Sequence, residues 1–154
     1  MKNKTLTITS LLLMSLTTAV QASGEVKHIP GIFVGATSFD SETELTLGLE
    51  YEYKIDSQWG VGAVYEITSE AHHGDGVSVS LVSAFYHPNS NVRLGIGLGQ
   101  ESIHGDHPHT ESLYRVSAGY DFHVDHFGIA PTVAVDFIDG EEAIVFGVAF
   151  TRPF

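Results

Sequence analysis

Apolar and polar residues alternate along most of this chain with a period of two, the spacing that places successive side chains on opposite faces of a β-strand. Leu45 and Leu47, for example, alternate with Thr46 and Gly48. The pattern predicts eight strands, at residues 31–39, 43–54, 58–68, 76–87, 91–102, 112–123, 127–136 and 142–154. Pro131 lies in the seventh strand and has no backbone N–H, so we expect a bulge or a local gap in the sheet there.

The last predicted strand shows how the two faces differ. Bulky residues such as Phe146 and Val148 alternate there with small ones such as Gly147 and Ala149. A strand of a soluble protein usually carries charge on its solvent face, whereas this second face is small and uncharged. The pattern is typical of a strand whose bulky face meets lipid and whose small face fills a narrow lumen. The expected fold class is therefore all-β, an eight-stranded antiparallel transmembrane β-barrel.

The first 22 residues have the features of an export signal. Basic residues come first, a short apolar run follows, and Val20 and Ala22 place small residues where signal peptidase reads the chain. The apolar run is too short to span a bilayer, and no later segment offers about 18 consecutive apolar residues. The sequence thus predicts a cleaved signal peptide at 1–22 and a barrel domain at 23–154 that crosses the membrane with strands.

Charge and cysteine content argue against two classes of protein. The formal net charge is −12, with 19 acidic residues against seven Lys and Arg. Phosphates require basic side chains, so nucleic acid is not an expected partner. The chain has no cysteine, so an exported protein of this size must be stabilised by its sheet rather than by disulfides. A closed barrel leaves no sheet edge that needs a neighbour, which favours a monomer.

The connections between the predicted strands alternate in length. Short turns fall at 55–57, 88–90 and 124–126, and longer polar connections at 70–75 and 103–111. Short periplasmic turns and longer extracellular loops are typical of transmembrane barrels. The alternative is a soluble barrel of lipocalin type with its bulky residues inside. Its outer surface would then be Gly, Ala, Ser and Thr, whereas soluble surfaces carry about 25 to 35% charged residues.

The signal, the alternating strands, the two kinds of connection and the final aromatic strand together resemble the small OmpA/OmpX-like outer-membrane barrels of Gram-negative bacteria. The resemblance implies an outer-membrane location, contact with membrane lipid and lipopolysaccharide, and insertion by the barrel-assembly machinery. It also implies that Val148, Phe150 and Phe154 form the signal which that machinery reads. Arg152 departs from the apolar residue usual at its position. The resemblance concerns architecture and transfers no activity.

Charged residues also fall on the small-residue face, which would line the inside of the barrel. They are Glu50, Glu52, Glu66, Arg93, Arg115, Asp121 and Asp136. An eight-stranded lumen is only wide enough for side chains, and buried charges need partners. We expect Arg93 to pair with Glu50 or Glu52. Arg115 is expected to pair with Glu66, so that the network plugs the lumen rather than forming an ion path.

Histidines and carboxylates cluster in the two longer connections. One holds His104, Asp106, His107 and His109, and the other holds His72 and His73. Imidazole and carboxylate groups are ligands for divalent metals such as zinc, copper and calcium. No fixed motif such as H-E-x-x-H is present. A metal site and a solvated polar loop with incidental histidines therefore both explain these residues, and no other cofactor is expected.

Acidic residues dominate the predicted extracellular end. They are Asp40, Glu42, Glu44, Glu70, Asp75, Glu101, Asp106, Glu111, Asp139, Glu141 and Glu142. Acidic loops at the level of lipopolysaccharide phosphates repel them unless Ca²⁺ or Mg²⁺ bridges the two. The alternative explanation is the solubility of exposed loops.

The expected function is non-enzymatic, in envelope integrity or in surface interaction through these acidic, histidine-rich loops. Three alternatives remain open: a metal-binding or metal-sensing surface barrel, a narrow channel for small solutes, and a lipid A-modifying enzyme. An enzyme is the least expected, because no G-x-S-x-G or comparable context marks a serine as a nucleophile.

Overall fold

The computed structural model describes residues 26–72 and 75–154, which form antiparallel β-strands joined by turns. The strands are β1 (His28–Phe39), β2 (Glu42–Lys54), β3 (Trp59–His72), β4 (Asp75–Tyr86), β5 (Val92–Ile103), β6 (His109–Tyr120), β7 (Phe122–Val124), β8 (Phe127–Ile138) and β9 (Glu141–Thr151). None of the described residues belongs to a helix with the length and hydropathy needed to cross a bilayer. The predicted signal peptide at 1–22 lies outside the described residues.

The sheet closes into a barrel because β1 pairs with both β2 and β9. The other strands pair with their neighbours in chain order, and β6 and β7 both pair with β8. β6 and β7 are therefore two parts of one barrel strand, so the described chain forms eight strands around the barrel wall. The predicted fold class, an all-β antiparallel eight-stranded barrel, is confirmed.

The sixth barrel strand is interrupted where the sequence analysis expected one continuous strand. β6 and β7 are separated by Asp121. Pairing with β8 stops after Gly119 and resumes at Phe122 without a shift in register. The missing rungs lie opposite Pro131, which cannot donate a backbone hydrogen bond. The irregularity expected at Pro131 is thus a local gap and not a bulge.

The termini of the described chain mark one of the two ends of the barrel. At one end, called the terminus end, lie the turns after β2, β4 and β7, and His28 and Phe154 pair through their backbones, each N–H donating to the other's carbonyl at 2.9 Å. At the other end, called the loop end, β5 extends to Ile103 and β6 begins at His109. The connection predicted at 103–111 is therefore shorter, because His109 already pairs with Ile103. The connection predicted at 70–75 was also too long, because β3 extends to His72, which pairs with Asp75 at the start of β4.

Apolar side chains cover the outer wall between the two ends. Ile32, Leu49, Ile96 and Phe150 are all more than half exposed. Soluble monomers rarely expose apolar patches larger than a few hundred Å². A closed barrel with such a belt is therefore a transmembrane barrel, with lipid covering the belt. The outward position predicted for the bulky residues is confirmed.

β4 is an exception to the rule that inward residues are small. Its residues Val77, Val79 and Leu81 are buried inside the barrel, whereas Ser80 is exposed on the outer wall. They pack at the loop end of the lumen with Ile103, Leu113, Ile138 and Ala143. The lumen is therefore closed by apolar side chains at that end.

Candidate functional site

Arg115 lies at the centre of a buried cluster with Glu66 and Asp136, called the loop-side ion layer. Its Nη1 and Nη2 donate to Oε1 and Oε2 of Glu66 at 2.8 and 2.7 Å. Its Nε and Nη2 donate to the two carboxylate oxygens of Asp136, both at 2.6 Å. Glycines make room for these long side chains, since Gly97 lies opposite Arg115 and Gly48 opposite Glu66. The geometry is that of two bidentate guanidinium–carboxylate pairs.

A second cluster, the terminus-side ion layer, comprises Arg93, Glu50, Glu52 and His87. Arg93 Nη1 donates to Glu50 Oε1 at 3.0 Å and lies 3.8 Å from Glu52 Oε2. His87 Nε2 donates to Glu52 Oε1 at 2.7 Å, with both side chains buried. The Arg93 guanidinium also lies 5.3 Å from the centre of the Phe85 ring, within cation–π range.

The two ion layers leave only small cavities between and above them. The cavity between the layers has a volume of about 40 Å³ and is lined in part by Phe33 and Phe85. The cavity above the loop-side ion layer has about 20 Å³ and is lined in part by Thr37 and Thr68. A buried water needs roughly 10 to 15 Å³ of such space. These two cavities therefore have room for only a few water molecules each.

The predicted lumen charges divide among these two layers with one exception. Glu50, Glu52 and Arg93 are brought together, as are Glu66, Arg115 and Asp136. Asp121 instead lies at the break between β6 and β7, where its backbone N–H donates to Asn91 and its carbonyl accepts from the Asn91 side chain. Its carboxylate is close enough to Arg93 to interact with it electrostatically, so Asp121 borders the terminus-side ion layer.

Two buried titratable residues were missed by the sequence analysis. His87 belongs to the terminus-side ion layer, and Glu101 is buried at the loop end rather than exposed among the acidic loops. The alternation of inward and outward residues along each strand could have identified both of them. His87 is two residues from the inward Phe85, and Glu101 is an even number of residues from the inward Arg93.

The histidines of the β5–β6 connection point to separate partners. The His104 imidazole shares a hydrogen bond with Ser78 Oγ at 3.0 Å. His109 Nδ1 donates to the His107 carbonyl at 3.1 Å, and its Nε2 lies 3.4 Å from Glu111. Among the side chains that the structure describes, which exclude those of residues 70–75, no three His, Asp or Glu groups are assembled as a metal site.

The remaining predicted metal ligands are Asp106, His72 and His73. Asp106 is exposed in the β5–β6 connection. His72 pairs with Asp75 at the end of the β3–β4 hairpin, and His73 lies outside the described residues. Metal binding at these residues stays a prediction.

The loop end is acidic and, among the described residues, carries no Lys or Arg outside the lumen. Its described carboxylates outside the lumen are Asp40, Glu42, Glu44, Asp106, Glu111, Asp139, Glu141 and Glu142. Arg93 and Arg115 lie in the buried ion layers, and Lys27, Lys54 and Arg152 lie at the terminus end. The barrel is therefore strongly polarised along its axis.

A recess opens on the outer wall at the loop end, beside the projecting β5–β6 hairpin. It has a volume of about 650 Å³ and is lined by Glu111, Ser112, Tyr114, Phe137, Asp139 and Gly140. The low β8–β9 turn forms its base, with Asp139 and Gly140 at φ angles of 47° and 87°. The recess thus combines two carboxylates with two exposed aromatic rings.

The proposed assembly signal lies on the outer face of the closing strand and just after it. Val148 and Phe150 pair with Val34 and Ile32 of β1, and Phe150 is exposed. The Phe154 ring stacks on His28, with ring centres 5.5 Å apart. These three residues therefore form part of the apolar belt near the terminus end, and their role in assembly stays a prediction.

Solved structures of small outer-membrane barrels share this fold. The N-terminal β-barrel domain of Pseudomonas aeruginosa OprF aligns with a TM-score of 0.62 at 12% identity, covering 84% of this chain and 100% of that one. Neisserial surface protein A aligns with a TM-score of 0.60 at 9% identity, covering 82% and 96%. Ail, the attachment invasion locus protein of Yersinia pestis, aligns with a TM-score of 0.56 at 17% identity, covering 85% and 100%.

These similarities are structural. No family model and no curated protein matches the sequence. Identities this low show the fold and carry no activity with them. The apolar belt and the shared fold together support localisation in the bacterial outer membrane, and the chain has the architecture of a small eight-stranded outer-membrane β-barrel.

Proposed function

We propose that this chain is a non-conducting outer-membrane barrel whose acidic loop end engages lipopolysaccharide phosphates through bridging divalent cations, and so contributes to envelope integrity. The terminus end then faces the periplasm and the loop end faces outwards. The observation that carries the proposal is the charge of the loop end. Carboxylates lie on the β1–β2, β5–β6 and β8–β9 hairpins, and among the residues that the structure describes at this end no Lys or Arg lies outside the lumen.

The physical argument rests on the sign of the charges. Carboxylates and phosphates repel each other, and the repulsion is strongest where lipid lowers the local dielectric constant. Ca²⁺ and Mg²⁺ bind oxygen ligands of both kinds, so they turn this repulsion into a bridge. Glu141 and Glu142 begin β9, immediately above the apolar belt. Carboxylates at that height meet the phosphates of the surrounding outer leaflet.

The closed lumen supports an interaction role over a channel role. Two ion layers lie in series, and the cavities beside them measure only about 40 and 20 Å³. We assign no catalytic step to the described side chains.

One structural neighbour binds a ligand that we do not assign to this chain. Ail has been solved in complex with the heparin analogue sucrose octasulfate, which is a polyanion. The loop end described here has the charge that repels polyanions in the absence of a bridging cation.

The test compares lipopolysaccharide binding with and without divalent cations. The purified barrel, folded in detergent, is passed over immobilised lipopolysaccharide in Ca²⁺ or in EDTA. We expect retention in Ca²⁺ only. The variant Asp139→Asn/Glu141→Gln/Glu142→Gln should lose retention, whereas the matched control Asp125→Asn, in a turn at the terminus end, should keep it. Equal retention of wild-type protein in Ca²⁺ and EDTA would contradict the proposal.

The recess beside the β5–β6 hairpin favours a second candidate function, which is the binding of a cationic group. Tyr114 and Phe137 can contact a cation through their ring faces, and Glu111 and Asp139 supply opposite charge. An oligolysine peptide is a direct probe. Binding that persists in EDTA, weakens with salt and is lost in Tyr114→Ala would support this candidate. Peptide binding that is unchanged in Tyr114→Ala would exclude the recess.

A further inference from the structure

The apolar belt is interrupted by a groove on one side of the barrel. The groove crosses the outer faces of β4, β5, β6 and β8 and has a volume of about 550 Å³, with an almost entirely apolar lining. This volume falls within the roughly 300 to 1,000 Å³ of ordinary ligand pockets. The groove is therefore larger than a packing gap between side chains, and it can hold part of a ligand.

The floor of the groove is formed by two alanines on the outer faces of β4 and β6. Ala118 lies in register between Leu94 and Val133. Ala84 lies in the same way beside Ile96 on the neighbouring strand. Leu94, Ile96 and Val133 are all well exposed and form the walls. The small side chains therefore form a floor between bulky neighbours.

The position of the groove determines its occupant. It is continuous with the apolar belt, so the molecule that enters it is one already present in the hydrocarbon layer. It lies in the half of the belt toward the terminus end, because Trp59 begins β3 and Tyr86 ends β4. Phospholipid, rather than lipopolysaccharide, forms the leaflet on the periplasmic side of an outer membrane.

An aromatic pair closes the groove at the level of the membrane surface. Trp59 and Tyr86 lie opposite each other in register, with ring centres 4.8 Å apart. Amphipathic rings of this kind concentrate at the membrane–water interface. The indole N–H and the phenol O–H are donors that suit the ester and phosphate oxygens of a lipid headgroup.

From this arrangement we infer that the groove is a binding site for one phospholipid, with an acyl chain lying over Ala84 and Ala118 and the headgroup beside Trp59 and Tyr86. The inference depends on the membrane placement of the barrel and is independent of the acidic loop end. Failure of the lipid test therefore leaves the proposed lipopolysaccharide interaction untouched, and the reverse also holds.

Trp59 provides a built-in reporter, because it is the one tryptophan of the chain and borders the groove. The probe is phosphatidylcholine with brominated acyl chains, titrated into the barrel in detergent micelles. A bound chain quenches tryptophan fluorescence on contact. We expect a saturating phase that ends at one lipid per barrel, and native mass spectrometry should show one retained lipid.

Filling the groove should remove this phase. Ala118→Phe places a ring on the floor from β6, away from the strand that carries Trp59. The matched control is Ala36→Phe, which adds the same ring to the outer wall of β1, where Ala36 pairs with the exposed Leu45 and Phe146. We expect apparent affinity to fall about tenfold or more in Ala118→Phe and to stay unchanged in Ala36→Phe.

The remaining outcomes decide against the site. Quenching that rises without saturation, or that saturates equally in Ala118→Phe and wild type, would mean that Trp59 reports only bulk lipid. If Ala118→Phe fails to fold, Ala118→Leu and Ala84→Leu give the same comparison with smaller side chains. Lipid retention that is unaffected in both leucine variants would overturn the inference.

Discussion

Arg115 and Glu66 are 49 residues apart in sequence and form two parallel hydrogen bonds across the lumen, at 2.8 and 2.7 Å. Asp136 binds the remaining edge of the same guanidinium. One cation, from β6, therefore binds two buried carboxylates: Asp136 on the neighbouring strand β8, and Glu66 on β3, which is three strands away from β6 in the sheet order. This relationship ties three parts of the barrel wall together from inside.

Removing Arg115 should destabilise the barrel strongly. Arg115→Met leaves Glu66 and Asp136 buried without their cation, and breaking a buried ion pair in this way costs about 3 to 5 kcal/mol. The free energy of unfolding is measured by guanidinium chloride titration in detergent, with the fluorescence of Trp59 as the signal.

A neutral version of the same layer is the matched control. Arg115→Met/Glu66→Gln/Asp136→Asn removes the cation and both anions together, so no buried charge is left unpaired. We expect it to recover most of the lost stability. A triple variant that is as unstable as Arg115→Met would show that the cost comes from packing and not from unpaired charge.

The ion layers should each block ion flow on their own. Wild-type protein, Arg93→Ala and Arg115→Ala are expected to show no single-channel steps in planar bilayers, because each variant keeps one intact layer and the small cavities beside it. The folded state of each sample is checked beforehand by its heat-dependent shift in gel mobility. Conductance steps in wild-type protein would contradict a plugged lumen. Steps in only one of the two variants would show that the layer changed in that variant is required for closure and that the remaining layer is not sufficient.

The alternation of apolar and polar residues in the sequence predicts part of the lumen but not all of it. Parity along each strand predicts that Arg115 and Glu66 point inward, and their height from the strand ends predicts that they meet. The second partner, Asp136, follows only from the register of β6 against β8, and the sequence pattern does not contain that register. His87 was missed because it was taken as the end of a strand, although it points inward like Phe85.

The loop end was harder to predict for a different reason. The residues 103–111 look like a polar loop in composition, yet His109 begins β6 and pairs with Ile103. Backbone hydrogen bonds to the partner strand extend a hairpin whether or not its side chains are apolar. His109 lies opposite Ile103 and therefore on the same face of the hairpin, whereas His104 follows Ile103 and hydrogen-bonds with Ser78 on the other face.

The closing seam between β1 and β9 should be intolerant of a single added methyl group. Gly35 and Gly147 lie opposite each other there, beneath the Phe33 ring. A Cβ atom on Gly147 would lie 2.5 Å from Gly35 Cα and 2.7 Å from Phe33 Cζ. Overpacking of this kind costs about 1 to 3 kcal/mol, so Gly147→Ala should lower the unfolding free energy by that amount.

Gly76→Ala is the matched control for the seam, since the nearest atom to its added Cβ would be the Thr68 carbonyl oxygen at 3.9 Å. Its unfolding midpoint in the same titration should stay close to wild type. If the two alanine variants have equal midpoints, the close approach of Gly147 to the Val34 carbonyl oxygen, Gly35 and the Phe33 ring does not limit stability.

Zinc binding by the β5–β6 hairpin is expected to be weak, because two of its three histidines, His104 and His109, already contact other side chains. His104 would have to release Ser78 Oγ, and His109 would have to turn away from Glu111, before both could coordinate one ion. The free energy spent on this rearrangement lowers affinity, so we expect a Kd weaker than ~1 µM for zinc or copper. Isothermal titration of the detergent-folded barrel measures it, beside the variant His104→Ala/His107→Ala/His109→Ala. Submicromolar binding that disappears in the variant would show that the hairpin rearranges into a metal site, and would make metal binding the better account of these loops.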